Sequence, residues 1–160
     1  MTRTKVFVLA LMLMGAAHSA SAQGANAGNP ELVRVRYIVN DVPAAVAFYT
    51  TKLGFKLDMQ AGSAFAALSR GGVQLLLSPS KGPGGASQPM PNGDRPAPGG
   101  WNRIVINTPD LQGEVARLRK AGVPMRNDIV IGLGGNEILL DDPSGNAVEL
   151  FQSTLTGYQK

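Results

Sequence analysis

Glu149 is a carboxylate set into an otherwise apolar stretch, Ala147-Val148-Glu149-Leu150-Phe151, directly behind the sequence Asp142-Pro143-Ser144-Gly145-Asn146. The Pro presets φ and the Gly tolerates positive φ, so the chain reverses there, with Glu137-Ile138-Leu139-Leu140 as the strand before the turn. Period-2 alternation puts Ala147, Glu149 and Phe151 on one face of the following strand and Val148 and Leu150 on the other. Such a carboxylate is either an edge-strand side chain turned to water or the polar centre of a site.

The chemistry open to that carboxylate is narrowed by what the chain lacks. There is no Cys, and the single His is His18. Residues 1–22 read as a secretory signal peptide: Arg3 and Lys5, an apolar run Val6 to Met14, and a small-residue cleavage pattern ending at Ala22. The apolar run is short for a membrane span, and no stable anchoring is expected after cleavage. The expected product is periplasmic or secreted. Cleavage after Ala22 removes His18, and with it Ser-His-Asp and Cys-His nucleophilic sites and every imidazole or thiolate metal site. It also removes Arg3 and Lys5, leaving 13 of the 15 basic residues against 11 acidic ones, net +2. This mild and scattered charge does not argue for nucleic acid as a partner.

The elements that must position Glu149 follow from periodicity. Residues 23–32 are a flexible lead-in. Val33 to Val39 alternates as a strand, with Val33, Val35 and Tyr37 on one face and Arg34 and Arg36 on the other. Asp41 caps a helix entered at Val42-Pro43 and stopped at Gly54. Phe48 and Tyr49 read as core. Strands over Phe55–Gln60, Ala64–Ser69 and Val73–Leu77 complete a first module at 33–77. Residues 78–100, with six Pro and six Gly, are a long connection, either a lid over a cleft or a disordered linker. The second module, 101–153, repeats the plan. It has a strand Asn102–Asn107, a helix entered at Thr108-Pro109-Asp110 and stopped at Gly122, and strands around Met125–Ile131, Glu137–Leu140 and Ala147–Gln152. Gly132-Leu133-Gly134-Gly135 precedes a strand rather than a helix, so it reads as a hairpin turn and not a phosphate loop. Residues 154–160 are a tail. The duplication gives the fold class: α+β, two tandem βαβββ modules.

The motif D-P-x-G-N-x-x-E-L-F, with the duplicated βαβββ plan, resembles the closing strand of the vicinal oxygen chelate superfamily of glyoxalase, bleomycin-resistance and extradiol-dioxygenase proteins, over about Val33 to Gln152. In the metalloenzymes of that family the Glu of this motif binds the metal, and a His lies seven residues before the helix-opening Asp of each module. Here those positions are Arg34 and Arg103, and the fourth ligand position, a Glu in the family, falls at Leu75 or Leu76. Only Glu149 matches. One carboxylate beside two fixed cations does not hold a divalent ion, so no metal and no other cofactor is expected.

The resemblance implies that the two modules form a curved mixed sheet around a cleft, and that Arg34, Arg103 and Glu149 converge on it, with Arg36 a step further along. This Arg-Glu-Arg cluster is either an internal tie or the recognition element for a small, anionic or strongly hydrogen-bonding molecule. Trp101, Phe65 and Phe151 are core residues or aromatic walls. The resemblance thus implies an exported, glyoxalase-like binding protein with Arg34, Arg36, Arg103, Glu149 and Trp101 at its ligand. One alternative is isomerase, lyase, glyoxalase or dioxygenase chemistry with Glu149 as catalytic residue, ranked lower because flanking guanidiniums weaken a carboxylate as a base. The other is a structural or interaction protein with a filled cleft. Exposed strand edges permit a homodimer.

Overall fold

The computed structural model describes residues 33–155. The expected signal peptide (1–22), the lead-in (23–32) and residues 156–160 of the tail lie outside the described residues.

Each half of the described chain folds its own strands into a four-stranded mixed sheet. The first has β1 (Val33–Val39), α1 (Val42–Leu53), β2 (Lys56–Ala61), β3 (Phe65–Arg70) and β4 (Val73–Pro79), in the order β1-β4-β3-β2. The second has β5 (Ile104–Asn107), α2 (Leu111–Lys120), β6 (Val130–Ile131), β7 (Gly135–Asp141) and β8 (Ala147–Ser153), in the order β5-β8-β7-β6. The opening strand of each pairs in parallel with the closing one, and the other pairings are antiparallel.

Local chemistry sets the element ends. The Asp41 carboxylate accepts from the amide of Ala44 at 2.9 Å and opens α1, while Gly54, at φ 67°, takes the left-handed turn that ends it. Asp110 accepts from the amide of Gly113 at 2.9 Å and opens α2, whose last turn carries Arg117, Arg119 and Lys120 against the negative end of the helix dipole.

Alternation then divides each strand between two faces. On the helix side Val39, Tyr49, Leu53, Leu68, Leu75, Leu77, Leu111, Leu118, Ile138, Leu140 and Leu150 join one continuous core shared by both modules. Fully burying such a side chain contributes about 1.5–3 kcal/mol. The opposite sheet faces carry the polar residues discussed below.

Three features differ from the sequence expectation. The strand expected over Met125–Ile131 shrinks to Val130–Ile131, with Met125 meeting Leu140 only in an isolated bridge. The reason is local: the Asn127 side chain accepts the amide of Leu139 at 2.9 Å, taking the place of a ladder carbonyl. The connection after Ser78 is hydrogen-bonded along its length. Ser87 is buried and donates to the carbonyl of Pro79 at 2.6 Å, and the amide of Gly99 donates to Asn146 at 2.8 Å. The Asp142–Asn146 turn does more than reverse the chain. Asn146 donates to the carbonyl of Ile38, Ser144 accepts the amide of Asn40, and Asp142 accepts the Tyr49 hydroxyl, so the turn clasps the first module. The glycine-rich run behaves as expected, as a hairpin closed by the bond from Gly132 to the carbonyl of Gly135.

A second clasp is Tyr37. The β5–β8 ladder includes a bond from the amide of Thr108 to the carbonyl of Phe151. Four residues earlier, the equivalent bond would join Ile104 to Ala147. Instead the Tyr37 hydroxyl sits between them, accepting from Ile104 and donating to Ala147, each at 2.9 Å. One side chain of the first module therefore replaces a ladder bond of the second. Burial raises the Tyr37 phenol above its ordinary value, opposed by the bond from Ile104.

Candidate functional site

β8 lies between β5 and β7, so Glu149 is not an edge residue turned to water: it is buried, at 5% exposure. Its partner is Arg103, just before β5, whose Nε donates to Oε2 at 2.5 Å, while the Arg103 side chain remains one-third exposed. The bond that Arg103 donates to Glu149 raises the guanidinium above its ordinary pKa, with smaller support from the charges of Glu149 and Glu137. On the same strand Phe151 sets its ring against Gly135, where an added Cβ would lie 2.5 Å from the ring edge.

The first module presents a different face. Register places Arg34 opposite Gln74 and Arg36 opposite Leu76, and continues to Ser69 and Ala67 of β3. Arg34 donates from Nε to Gln74 Oε1 at 3.1 Å, and Gln74 donates from Nε2 to Asp58 Oδ2 at 3.1 Å. Ser69 donates to Asp58 Oδ1 at 2.8 Å. A polar relay thus crosses the sheet from β1 to β2. Asp58 reaches it because the β2–β3 register shifts between Leu57 and Met59, the kind of bulge that re-aims a side chain. The bonds from Gln74 and then Ser69 hold the Asp58 carboxyl below its ordinary range. Arg36 donates to Ser78 at 2.5 Å and lies 5.8 Å from the centroid of the Phe65 ring. Arg34, Asp58, Met59, Phe65, Ala67, Gln74 and Leu76 surround an open depression of about 300 Å³.

Of the expected cluster of Arg34, Arg103 and Glu149, the contact that forms among the described residues is Arg103 with Glu149. Arg103 meets Glu149, whereas Arg34 is engaged by Gln74 and Arg36 by Ser78. Trp101 is 77% exposed and carries the Arg126 guanidinium over its ring at 5.8 Å. Arg126 in turn binds Asp141 and the carbonyl of Gly145, so Trp101 belongs to the turn rather than to either arginine face. Leu75 is fully buried among the core residues, which leaves Leu76 as the residue on the arginine face at the fourth family position. Sequence reasoning missed Asp58, Ser69 and Gln74. Alternation on β4 places Gln74 beside Arg34, but the bulge that recruits Asp58 leaves no sequence mark.

The donor set at the family ligand positions is one carboxylate, already accepting from a guanidinium, with Arg and Leu elsewhere. It does not fit a divalent cation. Among the described residues no group of three His, Cys, Asp or Glu side chains is placed to hold one.

Residues 31–150 match the model of the Glyoxalase/Bleomycin resistance protein/Dioxygenase superfamily. Among solved structures, lactoylglutathione lyase from Agrobacterium tumefaciens is similar at 19% identity and TM-score 0.62, covering 82% of this chain and 99% of its own. The antibiotic binding protein TnmS3 from Streptomyces sp. CB03234 is similar at 22% identity and TM-score 0.59, covering 79% and 98%. A member of the same superfamily from Sphaerobacter thermophilus is similar at 22% identity and TM-score 0.60, covering 76% and 96%. At these identities the likeness is one of fold. No curated protein matches the chain.

Proposed function

Because the chain belongs to the Glyoxalase/Bleomycin resistance protein/Dioxygenase superfamily, we propose that it is a member without the family's metal ligands that binds a small, anionic molecule on its open sheet faces. The observation that carries this reading is the state of the polar groups. Glu149, the one residue matching a family ligand, is committed to Arg103, while Arg34 and Arg36 have only neutral hydrogen-bond acceptors among the described residues. A carboxylate bound to a guanidinium is a poor metal ligand and a poor base, and a guanidinium without an acidic partner is a receptor for an anion. The fold-level likeness to an antibiotic binding protein is consistent with binding without turnover. We further propose that the signal-like residues 1–22 direct the protein to the periplasm or beyond, and that its open strand edges allow a homodimer.

The test is metal analysis of protein purified without chelators, beside thermal shifts with Zn²⁺, Ni²⁺, Mn²⁺ and Fe²⁺ and native mass spectrometry for co-purifying small molecules. The expected result is no stoichiometric metal and no metal-dependent rise in melting temperature. Stoichiometric metal overturns the reading and moves the protein to the family's metalloenzymes.

A further inference from the structure

We propose that the open face of the first-module sheet takes a flat apolar molecule bearing one carboxylate, with Arg34 receiving the carboxylate and Phe65 with Leu76 and Met59 receiving the ring. This rests on the small-ligand reading above and names its chemistry and place.

The argument begins with the relay. Asp58 as a carboxylate only accepts hydrogen bonds, so Gln74 must turn its NH₂ toward Asp58 and its carbonyl oxygen toward Arg34. That orientation engages Arg34 through Nε, and its two terminal amino groups have no hydrogen-bond partner among the described residues. Two parallel N–H donors on a planar fork match the two oxygens of a carboxylate. The negative charge of Asp58 does not cancel Arg34 directly, because the neutral Gln74 amide stands between them. Arg36, the second cation, is held by Ser78.

The apolar part of the ligand is fixed by what surrounds the fork. Phe65, Ala67, Leu76 and Met59 line the same depression, and Met59 is 55% exposed. The Arg36 guanidinium already lies over the Phe65 ring, an arrangement that a second flat, electron-rich ring extends. A volume of about 300 Å³ admits a bicyclic ring and is open enough to leave one edge in water. A highly charged phosphate would leave this apolar floor unused, whereas an aliphatic chain would forgo the stacking.

The probe is 2-naphthoate, with 2-naphthol as its uncharged counterpart, measured by calorimetry and by amide chemical-shift mapping on the purified protein. The expected outcome is naphthoate binding with shifts confined to the first-module strands β1 to β4, and at least about tenfold weaker binding of naphthol. Arg34→Gln should weaken naphthoate about tenfold or more with an unchanged melting curve, and Asp58→Asn, which frees the Gln74 amide to turn, should weaken it less, with a small loss of thermal stability at neutral pH. Arg103→Ala should leave affinity unaltered. Naphthoate affinity lost in Arg103→Ala but kept in Arg34→Gln overturns this placement while leaving a small-ligand protein. Equal binding of naphthol and naphthoate, or none of either, overturns the carboxylate class. The metal analysis above judges the underlying reading separately.

Discussion

The two modules repeat one plan but dispose of the same residue differently. Arg34 and Arg103 each stand seven residues before a helix-capping Asp. The parallel pairings set Arg34 opposite Gln74 and Arg36 opposite Leu76 in the first module, and Val105 opposite Glu149 in the second. Carrying the register over makes Leu76 the counterpart of Glu149 and Arg36 the counterpart of Val105. One face thus holds two cations without an acidic partner in contact among the described residues, and the other holds a neutralised pair. A duplicated scaffold can therefore keep an arginine in place twice while its role depends on one residue two positions along the neighbouring strand. The turns diverge as well. Asp142–Asn146 clasps the first module, whereas the corresponding reversal at Gly71-Gly72 is exposed.

The turns offer the largest way to break this comparison. Asp142→Ala removes the acceptor of four bonds, from Tyr49, from Asn146 twice and from Ser144, and should cost roughly 3–5 kcal/mol in denaturant unfolding. Gly71→Ala, at φ 56°, strains only an exposed turn and should cost about 1 kcal/mol. Equal losses would show that the two turns are equivalent after all.

The clasp should also be visible in alkali. Burial raises the phenols of Tyr37 and Tyr49 above their ordinary value, Tyr49 the more strongly and with the nearby Asp142 charge adding to it. A raised native pKa gives stability that is complete below the unfolded value of about 10 and lost as pH rises through the native one. Unfolding free energy should therefore fall above about pH 10, and Tyr49→Phe should flatten that fall.

Exchanging the diverged residues sharpens the comparison further. Glu149→Leu makes the second face resemble the first and should cost about 1–2 kcal/mol, discounted because Arg103 is partly solvated. Leu76→Glu does the reverse, supplying Arg34 and Arg36 with a carboxylate. It should abolish anion binding while changing stability by less than about 1 kcal/mol.

The smallest effect belongs to Asp58. Its depressed pKa contributes stability that is present above the ordinary carboxylate range and lost as pH falls through the native value. Asp58→Asn should remove that acid dependence from the melting curve, whereas a wild-type profile in the variant would mean that the relay does not form.

Much of the fold was legible without coordinates because it is encoded in local signals. Alternation bounded β1 at Val33–Val39, Asp41 and Gly54 bounded α1, and Asp110 opened α2, since caps and periodicity act over a few residues. The candidate site was legible only in part. Sequence placed Arg34 and Arg36 on one strand face and singled out Glu149, and the family resemblance set Arg34, Arg103 and Glu149 in one cluster. Only the tertiary structure decided that Glu149 is interior, that it pairs with Arg103, and that Arg34 is oriented by Gln74 and Asp58. The physical reason is range. Side-chain alternation is fixed by the chain's own geometry, whereas the partner of a charge depends on strand order, register and a single-residue bulge, which follow from packing elements far apart in sequence.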